Sequence, residues 1–179
     1  MNWSDRTDKM TNGYVPTYLR LSGKIGVRGR ICEVGVAGGG SLEFWQSLFP
    51  LGVVVGVDQN PNAVWPEGTF RVVAEQTDPT LPKLLETKSR DGCYDLIVDD
   101  ASHDGTKTAE TFRLLWPLVA PGRWYVIEDW GVAFPGRAPS YDAKMRYTAM
   151  NLIETLDPAQ GWGVQEIRYR DGMIIIERN

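Results

Sequence analysis

Histidine and cysteine are scarce in this 179-residue chain: one histidine, His103, and two cysteines, Cys32 and Cys93. A single imidazole excludes any site built on two or three histidines. The cysteines form no C-x-x-C pair, which excludes a zinc ribbon and a thioredoxin-type redox motif. Both lie in or beside apolar runs, the setting of buried thiols in a reducing cytoplasm rather than of a disulfide. No stretch approaches eighteen consecutive apolar residues, so no membrane span is expected. The start, Met1-Asn2-Trp3-Ser4-Asp5-Arg6, lacks the basic-then-apolar order of a secretory signal, and the expected location is cytoplasmic. Basic excess is missing as well. With 19 Lys and Arg against 23 Asp and Glu the net charge is −4, whereas a general nucleic-acid binder needs a basic surface to displace counterions. There is no internal repeat and no low-complexity tract. Hydrophobic residues at 42% and charged residues at 23% are globular values, and the length suits one domain over 1–179.

From about residue 30, apolar runs alternate with helical patterns. Arg30-Ile31-Cys32-Glu33-Val34-Gly35, Val53-Val54-Val55-Gly56-Val57-Asp58, Phe70-Arg71-Val72-Val73, Tyr94-Asp95-Leu96-Ile97-Val98-Asp99-Asp100 and Trp124-Tyr125-Val126-Ile127-Glu128-Asp129 read as strands. Helices are predicted over 42–48, 79–88, 106–118 and 143–156, with Pro121-Gly122 as a stop before the fifth strand. Nearly continuous apolar strands alternating with helices mean a parallel sheet covered on both faces. The ending differs: Val164-Gln165-Glu166-Ile167-Arg168-Tyr169 and Met173-Ile174-Ile175-Ile176-Glu177 flank Arg170-Asp171-Gly172, and Asp-Gly between strands signals an antiparallel hairpin. The fold class is α/β, Rossmann-like, with a seven-stranded mostly parallel sheet and a C-terminal antiparallel hairpin strand. Residues 1–29 form an N-terminal cap segment, and 130–142, rich in Gly and Pro, is a candidate substrate lid.

Glu33-Val34-Gly35-Val36-Ala37-Gly38-Gly39-Gly40 lies between a strand and a helix, where small residues let a ligand approach the backbone. Glycines alone are equally a tight turn. Asp58, closing the next strand, is placed to accept hydrogen bonds from ribose hydroxyls and tips the reading toward a nucleoside site. At the ends of strands four and five stand Asp99-Asp100-Ala101-Ser102-His103 and Glu128-Asp129. If these strands are neighbours, their acids converge. Packed carboxylates repel one another, and a hard divalent cation relieves that repulsion. The alternative is a solvated acidic rim, with Asp100 and Ser102 capping the next helix. For His103 the choice is between a general base, since imidazole exchanges protons near neutral pH, and a surface or capping histidine.

The pattern acid-x-Gly-x-Ala-x-Gly starting at Glu33, together with the closing hairpin, resembles the first motif of class I S-adenosylmethionine-dependent methyltransferases. The resemblance narrows at Asp99-Asp100-Ala101-Ser102-His103, Thr111-Phe112-Arg113-Leu114-Leu115, Pro121-Gly122 and Tyr125-Val126-Ile127-Glu128-Asp129. With Arg6-Thr7-Asp8-Lys9-Met10, Tyr14 and Tyr18, these are similar to the metal-dependent sugar O-methyltransferases of macrolide deoxysugars and mannosides. It covers residues 7 to 129. It departs at Arg123, where a second glycine is usual, and at Trp130-Gly131-Val132-Ala133-Phe134-Pro135, which replaces a polar continuation.

The resemblance implies transfer of a methyl group from S-adenosylmethionine to a hydroxyl of a sugar or glycosylated small molecule, assisted by Mg²⁺ or another divalent cation. The nearest alternative is a catechol or phenol acceptor. It assigns Glu33, Gly35, Gly39 and Ser41 to the methionine side of the cofactor and Asp58 to the ribose. Gln76, Asp78 and Asp99 complete the cofactor site. Asp100, Glu128 and Asp129 become metal ligands, with His103 as general base and Asp100 as the alternative base. Partners are expected to be small molecules and a further copy of the chain, not nucleic acid or membrane. Trp130, Phe134 and Tyr141 are candidates for stacking on a sugar, with Tyr14 and Tyr18 closing from the other side, or else are ordinary packing. A nicotinamide-dependent oxidoreductase lacks its Tyr-x-x-x-Lys, since Tyr141 and Lys144 are three apart.

Overall fold

The computed structural model describes residues 3–89, 91–130 and 172–179 in full, together with the backbone of 164–170. The expected lid beyond Trp130, including Phe134 and Tyr141, and the helix expected over 143–156 lie outside the described residues.

Strands β1 (Arg30–Val34), β2 (Val53–Asp58), β3 (Phe70–Val73), β4 (Tyr94–Asp99), β5 (Val119–Ile127), β6 (Val164–Arg170) and β7 (Met173–Arg178) form one sheet in the order β3-β2-β1-β4-β5-β7-β6. Pairing is parallel from β3 through β5 and antiparallel for β5 with β7 and β7 with β6. Gly172, at φ +84, supplies the positive dihedral that the hairpin turn requires. Helices α1 (Val15–Ile25), α2 (Gly40–Leu48), α3 (Leu81–Glu86) and α4 (Gly105–Leu115) precede or connect the strands.

Side chains along each strand alternate between two cores. Cys32, Val34, Ile97, Tyr125 and Ile127 pack with Leu81 and Leu85 of α3 and Phe112 and Leu115 of α4. Ile31, Leu96, Val98, Trp124 and Val126 pack with Tyr18 and Leu21 of α1 and Phe44 and Trp45 of α2. A parallel sheet needs both covers, because each face carries apolar side chains. None of the helices among the described residues is long and apolar enough to cross a membrane.

Three local expectations change. The N-terminal cap contains α1, whose Pro16 sits in the first turn, where a missing N–H costs nothing. Pro121-Gly122 does not stop an element; both residues lie within β5, which starts at Val119. There the β4–β5 register shifts between Tyr94 and Leu96, and a proline that cannot donate is tolerated at such an irregularity. Finally, the cap of α4 is Asp104, whose carboxylate accepts the Thr106 and Lys107 N–H groups at 2.9 and 3.0 Å. Asp100 is thereby released from the capping role that the sequence left open.

Candidate active site

The sheet order reverses direction between β1 and β4, and ligands of open α/β sheets bind at such a reversal beyond the carboxyl ends of the strands. The tips there are stitched together: Gly35 N–H donates to the Val57 carbonyl at 2.8 Å, Asp100 N–H to Val34 at 2.9 Å and Glu128 N–H to Asp99 at 3.0 Å. Above them opens a cavity of about 440 Å³. Gly35, Ala37, Ser41 and Asp58 line one side, Asp100, His103 and Asp129 the other, and Gln76 the ground between.

On the first side the backbone is bare by necessity. Gly35 has φ +99, and a side chain there would run into the Asp100 carbonyl. Asp58 accepts the N–H groups of Val36 and Ala37 at 2.9 and 3.0 Å through Oδ2, and that of Asn60 at 2.8 Å through Oδ1. A carboxylate has roughly four acceptor positions, so about one is left for a hydroxyl in the cavity. Glu33 is fully buried behind this wall: its Oε2 accepts the Ser41 hydroxyl at 2.6 Å, and Ser41 itself lines the cavity. Gly39, at φ +71, is held against the Val64 carbonyl and is not part of the lining.

Gln76 is buried and spent on bracing. Its amide donates to the Thr111 hydroxyl at 2.9 Å and its oxygen accepts the Ser102 N–H at 3.2 Å, beside His103. Asp78 accepts from Thr80 through both backbone and side chain, outside the lining. Asp99 is buried beneath the loop, with the Tyr125 hydroxyl at 3.5 Å.

On the second side, His103 Nε2 stands 4.0 Å from Asp100 Oδ1 and 3.8 Å from Asp129 Oδ2. One donor atom from each of these three residues lies within 4.8 Å of the others, a set able to surround a cation. The remaining oxygens are fixed from behind. Asp100 Oδ2 meets Lys9 Nζ at 3.0 Å, and Asp129 Oδ1 accepts the Tyr14 hydroxyl. Burial pushes the Asp129 carboxyl above its usual range, against the Tyr14 hydrogen bond. Glu128 does not share this set among the described residues. Its carboxylate is fully buried, receives Lys9 Nζ at 2.8 and 2.9 Å, and accepts the Tyr18 hydroxyl. Burial and the neighbouring Asp100 hold it well above the ordinary carboxylate range, with Lys9 opposing.

Among the described residues, three non-glycine residues have positive φ: Ala37 at +43°, His103 at +53° and Asp129 at +55°. All three line the cavity. Such backbone is costly for residues with a Cβ and tends to persist where the surrounding structure aims a group at a ligand.

The N-terminal segment closes the site. Arg6 donates to the Gly38 carbonyl at 3.1 Å and pairs with Glu43, while any side chain at Gly40 would strike Trp3 and Arg6. Thr7 and Asp8 join the cavity wall. The resemblance singles out this segment, but nothing in the residues shows that Lys9 lies at the centre of the acids. A lysine close to a terminus ordinarily reads as solvated.

Burial pushes Asp99 up to about 7, helped by the Asp100 charge and opposed by the Ala101 N–H. Unfolded aspartate titrates near ~3.9, so between about pH 4 and 7 the folded chain holds a proton that the unfolded chain has released. The contribution of Asp99 to stability is therefore complete below about pH 4 and is lost as the pH rises through 7. Asp99→Asn keeps the acceptor and removes the charge. In the ligand-free chain it should match wild type near pH 4.5 and melt about 3 °C or more higher at pH 8. Parallel melting curves across that range would refute the assignment.

The profile of a family described as "Methyltransferase domain" matches residues 32–130. Demethylmacrocin O-methyltransferase of Streptomyces fradiae is 34% identical over 137 residues, covering 71% of this chain and 34% of that protein. Mycinamicin VI 2''-O-methyltransferase of Micromonospora griseorubida gives the same identity and coverage. A solved structure, the MycE methyltransferase from the mycinamycin biosynthetic pathway in complex with Mg and SAH, superposes with a TM-score of 0.76 at 27% identity, over 93% of this chain and 49% of that one. The chain thus spans about a third of the length of the curated relatives it matches.

Proposed function

Because this chain belongs to the methyltransferase-domain family, we propose that it transfers a methyl group from S-adenosylmethionine to a hydroxyl of a sugar or glycosylated small molecule, with the help of a divalent cation. One observation carries this reading. Asp100, His103 and Asp129 gather their donor atoms around one point, next to a glycine-floored cavity closed by Asp58. Relatives named as O-methyltransferases of demethylmacrocin, mycinamicin VI and rhamnosyl tetracenomycin support the acceptor class.

The residues present suit both groups. A cavity of about 440 Å³ is within the usual range for a small-molecule site. The carboxylate oxygens of Asp100 and Asp129 suit a hard cation, and His103 Nε2 beside them keeps its lone pair for a proton. When bound, S-adenosylmethionine brings a methyl already activated by its sulfonium, and the cation lowers the cost of charge on the acceptor oxygen.

The chain's own residues do the rest. Asp58 fixes the ribose and at the same time ties down the glycine turn through three backbone N–H groups. Ser41 links the methionine end to the buried Glu33 charge. Asp100 and Asp129 hold the cation with the oxygens that face His103, because Lys9 and Tyr14 restrain their other oxygens. Glu128 holds Lys9 from behind. His103 Nε2 takes the hydroxyl proton as the oxygen attacks, so the acceptor does not have to ionise beforehand. Positioning then supplies much of the rate, since an in-line displacement needs the oxygen, methyl and sulfur aligned.

The test is transfer from labelled S-adenosylmethionine across a panel of glycosides and catechols, with and without chelator. Labelled glycoside is expected, along with loss of at least about a hundredfold of the rate on chelation and recovery with Mg²⁺. A rate indifferent to chelator would refute the cation's part. Labelling of catechols alone would refute the acceptor class.

A further inference from the structure

The transfer reaction does not itself demand Lys9. Its side chain is fully buried, as are those of Glu33 and Glu128. The ammonium lies 3.1 Å from Glu33 Oε1, 3.0 Å from Asp100 Oδ2, and 2.9 and 2.8 Å from the two oxygens of Glu128. The rings of Tyr18 and Trp45 lie 6.0 and 5.8 Å from it. A single positive charge therefore sits between three carboxylates that come from the ends of three adjacent strands, β1, β4 and β5. Without it the acids repel one another, and two of them have no route to water. Asp100 would also lose the restraint that turns its Oδ1 toward His103.

We propose that Lys9 is a positioning residue, a built-in cation that holds Glu33, Asp100 and Glu128 in one arrangement and so couples the cofactor side of the cavity to the acceptor side. The coupling to transfer rests on the function proposed above; the cation role does not. The contacts are charge-assisted hydrogen bonds and ask for charge at the Nζ position. An uncharged group of the same bulk cannot replace it. The N-terminal segment thus reaches the chemistry without touching any reacting atom.

The experiment separates charge from packing. Lys9→Ala removes three methylenes and the ammonium, and propylammonium replaces both. 1-Propanol has the same bulk and no charge. Thermal unfolding of the chain without cofactor, cation or acceptor is measured first. Lys9→Ala and Lys9→Met should both melt well below wild type. Propylammonium should restore most of the loss in Lys9→Ala, and propanol little of it. Under transfer conditions, propylammonium should raise kcat of Lys9→Ala by about tenfold or more while propanol leaves it unchanged.

Equal recovery by the two additives, or Lys9→Met with the stability and kcat of wild type, overturns the proposal. Should the single variants fail to fold, or the cavity admit neither additive, Lys9→Met/Glu128→Gln decides. Removing one acid together with the cation should restore stability, and a double variant no better than Lys9→Met overturns the proposal. Unfolding is read without substrate, so a wild-type chain that transfers no methyl group would refute the proposed function and leave the Lys9 result standing.

Discussion

Replacing His103 with alanine is expected to lower kcat by about 10² to 10⁴-fold, the span typical for loss of a general base, with affinity for S-adenosylhomocysteine held within about threefold. The asymmetry follows from the geometry. Nε2 faces Asp100 Oδ1 and Asp129 Oδ2 at 4.0 and 3.8 Å, in the wall of the cavity. Asp58 lines the same cavity from the end of β2, which β1 separates from β4. The imidazole is held in an uncommon backbone conformation, φ +53, by a loop whose Ser102 N–H is anchored on Gln76. Alanine removes the proton acceptor and leaves that loop with its anchors. Single-turnover rates with bound cofactor and calorimetric affinities check both halves of the expectation. Unchanged turnover would remove His103 from the mechanism, and a large fall in cofactor affinity would make it a binding residue instead.

Asp58→Ala is expected to give the opposite signature: affinity for S-adenosylhomocysteine weaker by about 10²-fold, or about 3 kcal/mol, with kcat at saturating cofactor within about fivefold. Two losses add. One is the charge-assisted hydrogen bond to a ribose hydroxyl, worth about 1.5–3 kcal/mol. The other is release of the Val36, Ala37 and Asn60 N–H groups, which frees the turn that shapes the floor. Asp58→Asn separates them, since an amide oxygen still accepts from the turn but carries no charge; it should fall between alanine and wild type. If both variants bind as wild type does, the cavity opposite His103 is not the nucleoside site.

Particular residues show how far reading the chain reaches. β2 is found at the bounds predicted from its apolar run, because a buried parallel strand must be apolar throughout and ends where polarity returns, and β3, an edge strand with only Val72 buried, is found at its predicted bounds as well. The hairpin is likewise found where Asp-Gly announces it. Pro121-Gly122 misleads because proline and glycine report local dihedrals, and a register shift in the pairing of β5 with β4 lets β5 pass through them. Asp100, His103, Asp129 and Asp58 were legible as candidates, and the structure brings them into one cavity. Glu33, Glu128 and Asp99 are legible as acids at strand ends, but not their full burial, which sets their chemistry apart from that of the part-buried Asp58, Asp100 and Asp129. Glu128 and Asp129 both follow the end of β5, and the chain turns there with Asp129 at φ +55, so they carry the same label in the chain and different surroundings in space.

Sequence by itself determined the layered α/β architecture, the closing antiparallel strand and the set of strand-end residues available for chemistry. These depend on polarity period and turn residues, which are local. Only the tertiary structure decided which acids face the cavity and which are locked on an ammonium, that Asp104 rather than Asp100 caps α4, and that a lysine from the N-terminal segment lies among three strand tips. Those outcomes depend on distances between residues far apart in the chain, and in a low-dielectric interior a charge takes its meaning from whatever stands within a few ångströms of it.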